Sequence, residues 1–374
     1  MSEGEKVLIG KLVTGEEIHR YQKSIVVNFT GRRKVLSTAP ANWGMREDLT
    51  AVFNNDCTVG AGMASQLKAP TYAEHMMILS GELGLDLGKT AGIGTAAQME
   101  NVSVKTESYK DIAVTAVVTG GVEVNGGRAG DRASWDELAK ESLEDKKNRG
   151  TINIMLFISV GLTDGALARS LVTCTEAKTA ALQELMAPSR YSRGLATGSG
   201  TDSTIVVCNS DSGIQLTDAG KHVKLGECIG RAVKAAVKEA LNLQSGLCAD
   251  SQHDVLRRVS RFGITPKTLW DALCEPEPSG IKKARFAEAL ETLLREDSLV
   301  TGVSLYVHLL DQLEWGLISP EETYEYADFL LKQMGMDCLG SLEQAKMPVD
   351  FFIAGLSRGI SGLIGKSLGK RSGE

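Results

Sequence analysis

The chain has 374 residues, 43% hydrophobic and 24% charged, a composition that fits a soluble globular protein with room for two domains. Its 41 Lys+Arg against 47 Asp+Glu give a net charge of −6, which argues against a nucleic-acid binder held by phosphate neutralisation, and aromatics at 5% leave few platforms for stacked bases. The seven cysteines form no C-x-x-C pair, which suits reduced thiols better than a disulfide framework or a zinc ribbon.

The segment MSEGEKVLIGKLVTGEE has no basic stretch followed by an apolar one, so no signal peptide is expected. No apolar run reaches the roughly 18–20 residues of a membrane span. The expected location is cytoplasmic, with no nucleic acid and no membrane span among the partners and a homo-oligomer left open.

In chain order, β-branched apolar runs predict strands at 24–29, 35–38, 101–105, 112–118, 151–159 and 204–208. Residues 106–111 read as a hairpin connection. Tyr72, Met76, Leu79 and Leu83 share one face of a short helix. A long helix covers 164–186 and stops before Pro188; another covers 219–243, with Asp218 as a candidate N-cap. These elements predict an α+β fold, a mixed and largely antiparallel sheet packed against helices. The strand–helix–strand order of 151–208 keeps α/β as the alternative.

Near 244–253 the pattern changes. Beyond it strands vanish and helical periods run over 284–295, 303–313, 320–334 and 351–368, the last with Phe352, Leu356, Ile360, Leu363 and Ser367 on one stripe. Two domains follow, 1–245 and a helical 250–374.

The sequence has no G-x-S-x-G, H-E-x-x-H or phosphate-loop motif, and its five histidines lie far apart, so no metal site is expected. The long helix is more informative. Its apolar line runs Leu167, Leu171, Cys174, Ala181/Leu182 and Leu185, and Lys178 falls in the middle of it. A buried ammonium must be paired or face a cleft. Glu176, roughly 200° round the helix by the 3.6-residue repeat, cannot share a small site with it.

The segment ATGSGTDS at 196–203 precedes a strand rather than following one, so it is a poor nucleotide loop. Gly198 and Gly200 would let backbone N–H groups face a ligand, with Thr201 and Asp202 as polar contacts; a plain tight turn is the alternative. His222 lies near the apolar face and positive N-terminal end of the 219–243 helix, which favours neutral imidazole as a base or as a structural partner. Gly226 and Gly230 imply close approach of another element. The glycine-rich stretch 119–131 offers Asn125, Arg128 and Asp131 as a ligand clamp or a surface loop.

Together STAPANWG (37–44), TAVVTGGV…RAGD (115–131), TINIMLFIS…LTDGALARSLVTCTEAKTAAL (151–182), ATGSGTDS (196–203) and AGKHVKLGECIGRAV (219–233) resemble the adenosylcobinamide amidohydrolases, the CbiZ family, over about residues 7–245. The loop VEVNGG at 122–127 and Trp43 depart from that pattern. The resemblance implies hydrolysis of the aminopropanol amide of adenosylcobinamide to adenosylcobyric acid in corrinoid salvage, with the corrinoid as substrate and no cofactor required. The helical extension lies outside the resemblance.

Amide hydrolysis needs an activated water or nucleophile, an oxyanion stabiliser and an acid for the leaving amine. The expected arrangement sets His222 and Asp202 around the water and Lys178 at the oxyanion or the amine, with Glu176 kept because it matches the family block. Asn42, Asn125 and Asn153 would hold corrin amides; Thr201 and Cys174 are second-choice nucleophiles. Two other functions remain as alternatives: a non-catalytic corrinoid sensor or carrier, and an amidohydrolase acting on a different amide.

Overall fold

The architecture follows from a computed structural model that describes residues 5–58, 67–136, 138–139, 141–142, 150–274, 281–342 and 347–370. The chain divides into two compact units, 1–248 and 249–374.

The first unit begins with β1 (Val7–Lys11), β2 (Glu17–Tyr21), β3 (Ser24–Asn28), β4 (Arg33–Ser37), β5 (Gly44–Arg46) and β6 (Ala51–Asp56). Helix α1 (Tyr72–Glu82) follows, opened by a capping box between Thr71 and Glu74. Next come β7 (Thr90–Thr95), β8 (Ser103–Tyr109), β9 (Ile112–Gly120), β10 (Gly126–Gly127), β11 (Trp135–Asp136) and β12 (Glu141–Ser142). The unit ends with β13 (Ile152–Ile158), β14 (Gly161–Leu162), α2 (Asp164–Glu184), β15 (Gly198–Ser199), β16 (Ser203–Asn209), β17 (Gln215–Leu216) and α3 (Lys224–Ser245).

Among the described residues two large sheets form, where the sequence pattern suggested one, with the two-stranded ribbons β10-β15, β11-β12 and β14-β17 beside them. The first runs β1-β2-β3-β6-β7 and the second β5-β4-β16-β13-β9-β8. Each is antiparallel except for one parallel pair, β6 with β7 and β13 with β16. The fold is therefore α+β with mixed sheets.

Alternation on the strands assigns the layers. Val27, Val52 and Ile93 of the first sheet meet Val35, Val117, Met155, Phe157, Ile205 and Val207 of the second. On the far side of the second sheet, Ile154, Leu156, Val118 and Val206 pack on Leu167, Cys174 and Ala181 of α2 and Ile229, Val233 and Ala236 of α3. On the far side of the first sheet, Val26 and Phe53 pack on Met76 and Leu79 of α1. The order is helix, sheet, sheet, helix pair. Strand β13 is covered on both faces, which is why its residues after Asn153, IMLFI, read as a continuous apolar run.

Several boundaries differ from expectation for local reasons. Strand β8 continues to Tyr109, so the hairpin turn is only Lys110–Asp111, with Lys110 at φ 52°. Helix α3 starts at Lys224 with Val223 as its N-cap; the Asp218 carboxylate instead accepts from the Gly220 N–H at 2.9 Å. Gly226 is required, since a Cβ there would lie on the Gly220 carbonyl, whereas nothing lies within 4 Å of one at Gly230.

The second unit contains α4 (Val255–Val259), α5 (Pro266–Cys274), α6 (Lys283–Leu294), α7 (Asp297–Glu314), α8 (Pro320–Gln333) and α9 (Pro348–Lys370). Its core joins Val303, Val307 and Leu310 of α7 to Phe352, Leu356, Ile360 and Ile364 of α9. The stripe on α9 thus continues through Ile364 rather than Leu363. Tyr306 is buried and donates to the Phe352 carbonyl at 2.9 Å, and Arg261 forks onto Asp311 at 2.5 and 2.6 Å. Among the described residues no helix is long and apolar enough to cross a membrane.

Candidate active site

The starts of β13 and β16 and the end of β9 lie at one end of the second sheet, where three chain segments meet. Gly126–Gly127 of the 119–131 stretch pair with Ser199–Gly198 as β10 and β15. Two glycine-rich segments distant in sequence therefore form one ribbon. Above them, α2 lowers Lys178 from its buried stripe onto Asp202, and both side chains are only 12% exposed.

Asp202 has its lone pairs filled. One carboxylate oxygen accepts from the Ile152 N–H at 2.8 Å and the Ser199 hydroxyl at 2.6 Å. The other accepts from the Ser199 N–H at 3.0 Å and from the Lys178 ammonium. A carboxylate has about four acceptor positions, so each is in use. Gly198 makes the arrangement possible: a Cβ there would lie on Asp202 Oδ2 and 2.7 Å from Lys178 Nζ.

Hydroxyls extend the cluster. Thr201 Oγ1 lies 2.7 Å from Thr151 Oγ1 and bonds the Gly150 carbonyl at 3.1 Å. Asn125 is buried and donates to the same carbonyl, while its Oδ1 has no partner among the described residues. Gly150 sits at φ 134°, and a Cβ would run into the Asn125 side chain.

Arg128 and Asp131 brace the ribbon. Arg128 Nη1 donates to the Leu195 carbonyl at 3.2 Å. Asp131 accepts from the Arg128 N–H at 2.7 Å and the Ser189 hydroxyl at 2.6 Å. Burial works against its charge, yet the hydrogen bonds from Ser189, Ser192 and the Arg128 backbone outweigh that and hold its carboxyl below the ordinary value.

The remaining expected residues lie elsewhere. Glu176 pairs with Lys221 at 3.0 Å, both well exposed. His222 is exposed and precedes α3 rather than lying in it. Its loop rests on the other side of α2, where Thr173 Oγ1 donates to the Ala219 carbonyl at 2.8 Å. At 100° per residue that side is turned away from Lys178, so His222 and Asp202 do not flank a common water.

Asn42 and the amide nitrogen of Asn153 are likewise occupied, while the buried Asn153 Oδ1 has no partner among the described residues. Asn42 donates to the Leu87 and Thr90 carbonyls, both at 2.8 Å, and so secures its own turn. Asn153 is fully buried between the sheets and donates to Asn54 Oδ1 at 2.8 Å and the Gly94 carbonyl at 2.9 Å; Asn54 in turn donates to Thr119 Oγ1 at 2.8 Å. Burial pushes the Cys174 thiol up to about 12, which removes it as a nucleophile at neutral pH. Gly200 lies at the exposed tip beside Ser199. Among the described residues no three His, Cys, Asp or Glu side chains gather as a metal site.

Ser199, Thr151 and Asn54 were not singled out from sequence. Ser199 lies inside ATGSGTDS, and Asn54–Asn55–Asp56 interrupts the apolar start of β6, the one local sign that this strand end is polar.

The family model for adenosylcobinamide amidohydrolase (CbiZ) matches residues 9–249. The chain belongs to the adenosylcobinamide amidohydrolase family. The matched region ends where the first unit ends, and it contains every residue of the Lys178–Asp202 cluster. A curated relative, "Uncharacterized protein MJ1613" of Methanocaldococcus jannaschii, is 35% identical over 229 residues, 59% of this chain and 86% of its own length. A solved structure, the PH0078 protein from Pyrococcus horikoshii OT3, aligns over 63% of this chain and 82% of its own with 13% identity and a TM-score of 0.27.

Proposed function

We propose that this adenosylcobinamide amidohydrolase family member hydrolyses the amide joining aminopropanol to the corrin periphery of adenosylcobinamide, giving adenosylcobyric acid and the amino alcohol. The observation that carries this reading is that two blocks of the family resemblance, 151–182 and 196–203, meet at the Lys178–Asp202 pair.

In this reading water adds its hydroxyl to the carbonyl carbon and a proton to the departing amine. Lys178, fixed by Asp202, faces the carbonyl oxygen and stabilises the negative charge that develops there, an effect that is largest in a site partly shielded from water. The Ser199 hydroxyl is hydrogen-bonded to Asp202, so it takes a proton from the attacking water as its own passes to the carboxylate. Lys178 gives one of its protons to the amine as the C–N bond breaks, and then recovers the proton held on Asp202. His222 has no part in this scheme.

Incubation with adenosylcobinamide followed by mass spectrometry tests it. Appearance of the shortened acid is the expected result. Tight binding with the ligand recovered intact would instead favour a corrinoid carrier or sensor. Turnover of simple amides that cobinamide does not inhibit would favour a different substrate.

A further inference from the structure

Trp43 is 70% exposed, yet the backbone on both sides of it is fixed. Asn42 before it lies at φ 53° and Gly44 after it at φ 80°, both left-handed. The Asn42 side chain is tied to the Leu87 and Thr90 carbonyls, and Arg46 forks onto Asp48 at 2.6 and 2.7 Å and reaches the Gly88 carbonyl at 3.1 Å. Left-handed geometry at a non-glycine residue costs free energy. An indole left in water returns little of it through burial.

The register locates this indole. Gly44 pairs with Ser37, and Ser37 pairs with Ile205. Trp43 directly precedes Gly44, just outside the paired residues of β5, and on the neighbouring strands the Thr204 N–H bonds Thr38 Oγ1 at 2.9 Å. Two strand spacings sideways and three residues along from Ile205 put the Gly44 and Asp202 backbones about 14 Å apart, at the same end of the sheet. A ligand that reaches Asp202 and the Trp43 indole bridges β4 between them, a span that suits a macrocycle carrying its amide on a side arm.

We infer that Trp43 is the stacking platform for the planar conjugated face of the substrate, and so sets specificity for large ligands at the Lys178–Asp202 site. This inference rests on the corrinoid reading above. The conjugated face is either the macrocycle or the adenine of an axial adenosyl group. Stacking is made equally in the ground state and the transition state, so it acts on KM rather than kcat.

The test compares wild type, Trp43→Ala and Trp43→Phe in steady-state hydrolysis of adenosylcobinamide. Trp43→Ala should raise KM about tenfold, within the range measured for aromatic–base stacking, with kcat held within about twofold, and Trp43→Phe should recover most of the loss. An unchanged KM in Trp43→Ala, or an equal rise in both variants, would overturn the inference.

The same comparison by equilibrium dialysis separates failure of this inference from failure of the hydrolase reading. Wild type that retains adenosylcobinamide without cleaving it, with retention weakened about tenfold by Trp43→Ala, removes the hydrolase and leaves the platform. Equal retention by both, or none by wild type, removes the platform. Cobinamide with water or cyanide as axial ligands identifies the face: a loss that persists assigns the macrocycle, and a loss confined to the adenosyl form assigns the adenine.

Discussion

Two of the ion pairs on helix α2 lie on opposite sides of it, and the contrast between them separates a site from a surface. On one side Lys178 reaches Asp202, both nearly shielded, with every carboxylate lone pair in use. On the other, Glu176 and Lys221 meet in open water beside an exposed His222. The two sides hold the same kinds of residue. What differs is solvent access and the number of neighbours fixed by each charge. An exposed pair is screened and contributes about 0–1 kcal/mol, whereas removing one partner of a buried pair costs about 3–5 kcal/mol.

The largest effect should come from Lys178. Lys178→Met keeps the packing of the stem while deleting the charge, and it should lower kcat for adenosylcobinamide by about 100-fold or more, in the range for loss of a positioned acid or base. A variant that melts like wild type yet retains kcat would break the contrast.

Next comes Gly198→Ala. The added methyl falls on Asp202 Oδ2 and beside the ammonium, so the pair must separate. Melting should drop by several degrees, in line with a loss of about 1–3 kcal/mol for overpacking, and activity should fall with it. Wild-type melting and turnover in this variant would show that the pair is not held as described.

The smallest changes belong to the other side. Glu176→Ala and His222→Ala should each leave kcat within about twofold of wild type and stability within about 0.5 kcal/mol, as for ordinary surface substitutions. A 100-fold drop in His222→Ala would make the two sides of α2 equivalent and return the histidine to the reaction.

Much of the fold was legible where periodicity was unambiguous. Strand β9 alternates and α2 shows its stripe, and both lie close to the ranges read from the sequence. Strands β6 and β7 were not legible. AVFNND ends in three polar residues and TAGIGT is broken by glycines, so neither shows period two, and both are fixed by pairing across the sheet, β6 between β3 and β7.

Site residues divide in the same way. Lys178 was marked by a local conflict, a charge inside an apolar stripe, and that conflict is what the ion pair with Asp202 resolves. His222, Asn42 and Asn153 have side-chain chemistry that suits catalysis or amide binding, but sequence does not reveal whether a polar side chain faces a ligand or the protein. The carbonyls that engage Asn42 and Asn153 come from β7 and the turn before it, far along the chain.

The Asn54–Asn153–Thr119 chain has one further consequence. Aliphatic side chains between two sheets attract one another at many relative offsets, because dispersion has no direction. The hydrogen bonds that link these three buried side chains form at a single offset, since a slip would leave their amide donors unpaired in a dry interior. They act as an alignment pin between the sheets. Asn153 directly follows Ile152, whose N–H holds Asp202, so the pin that aligns the sandwich also sets the position of the carboxylate.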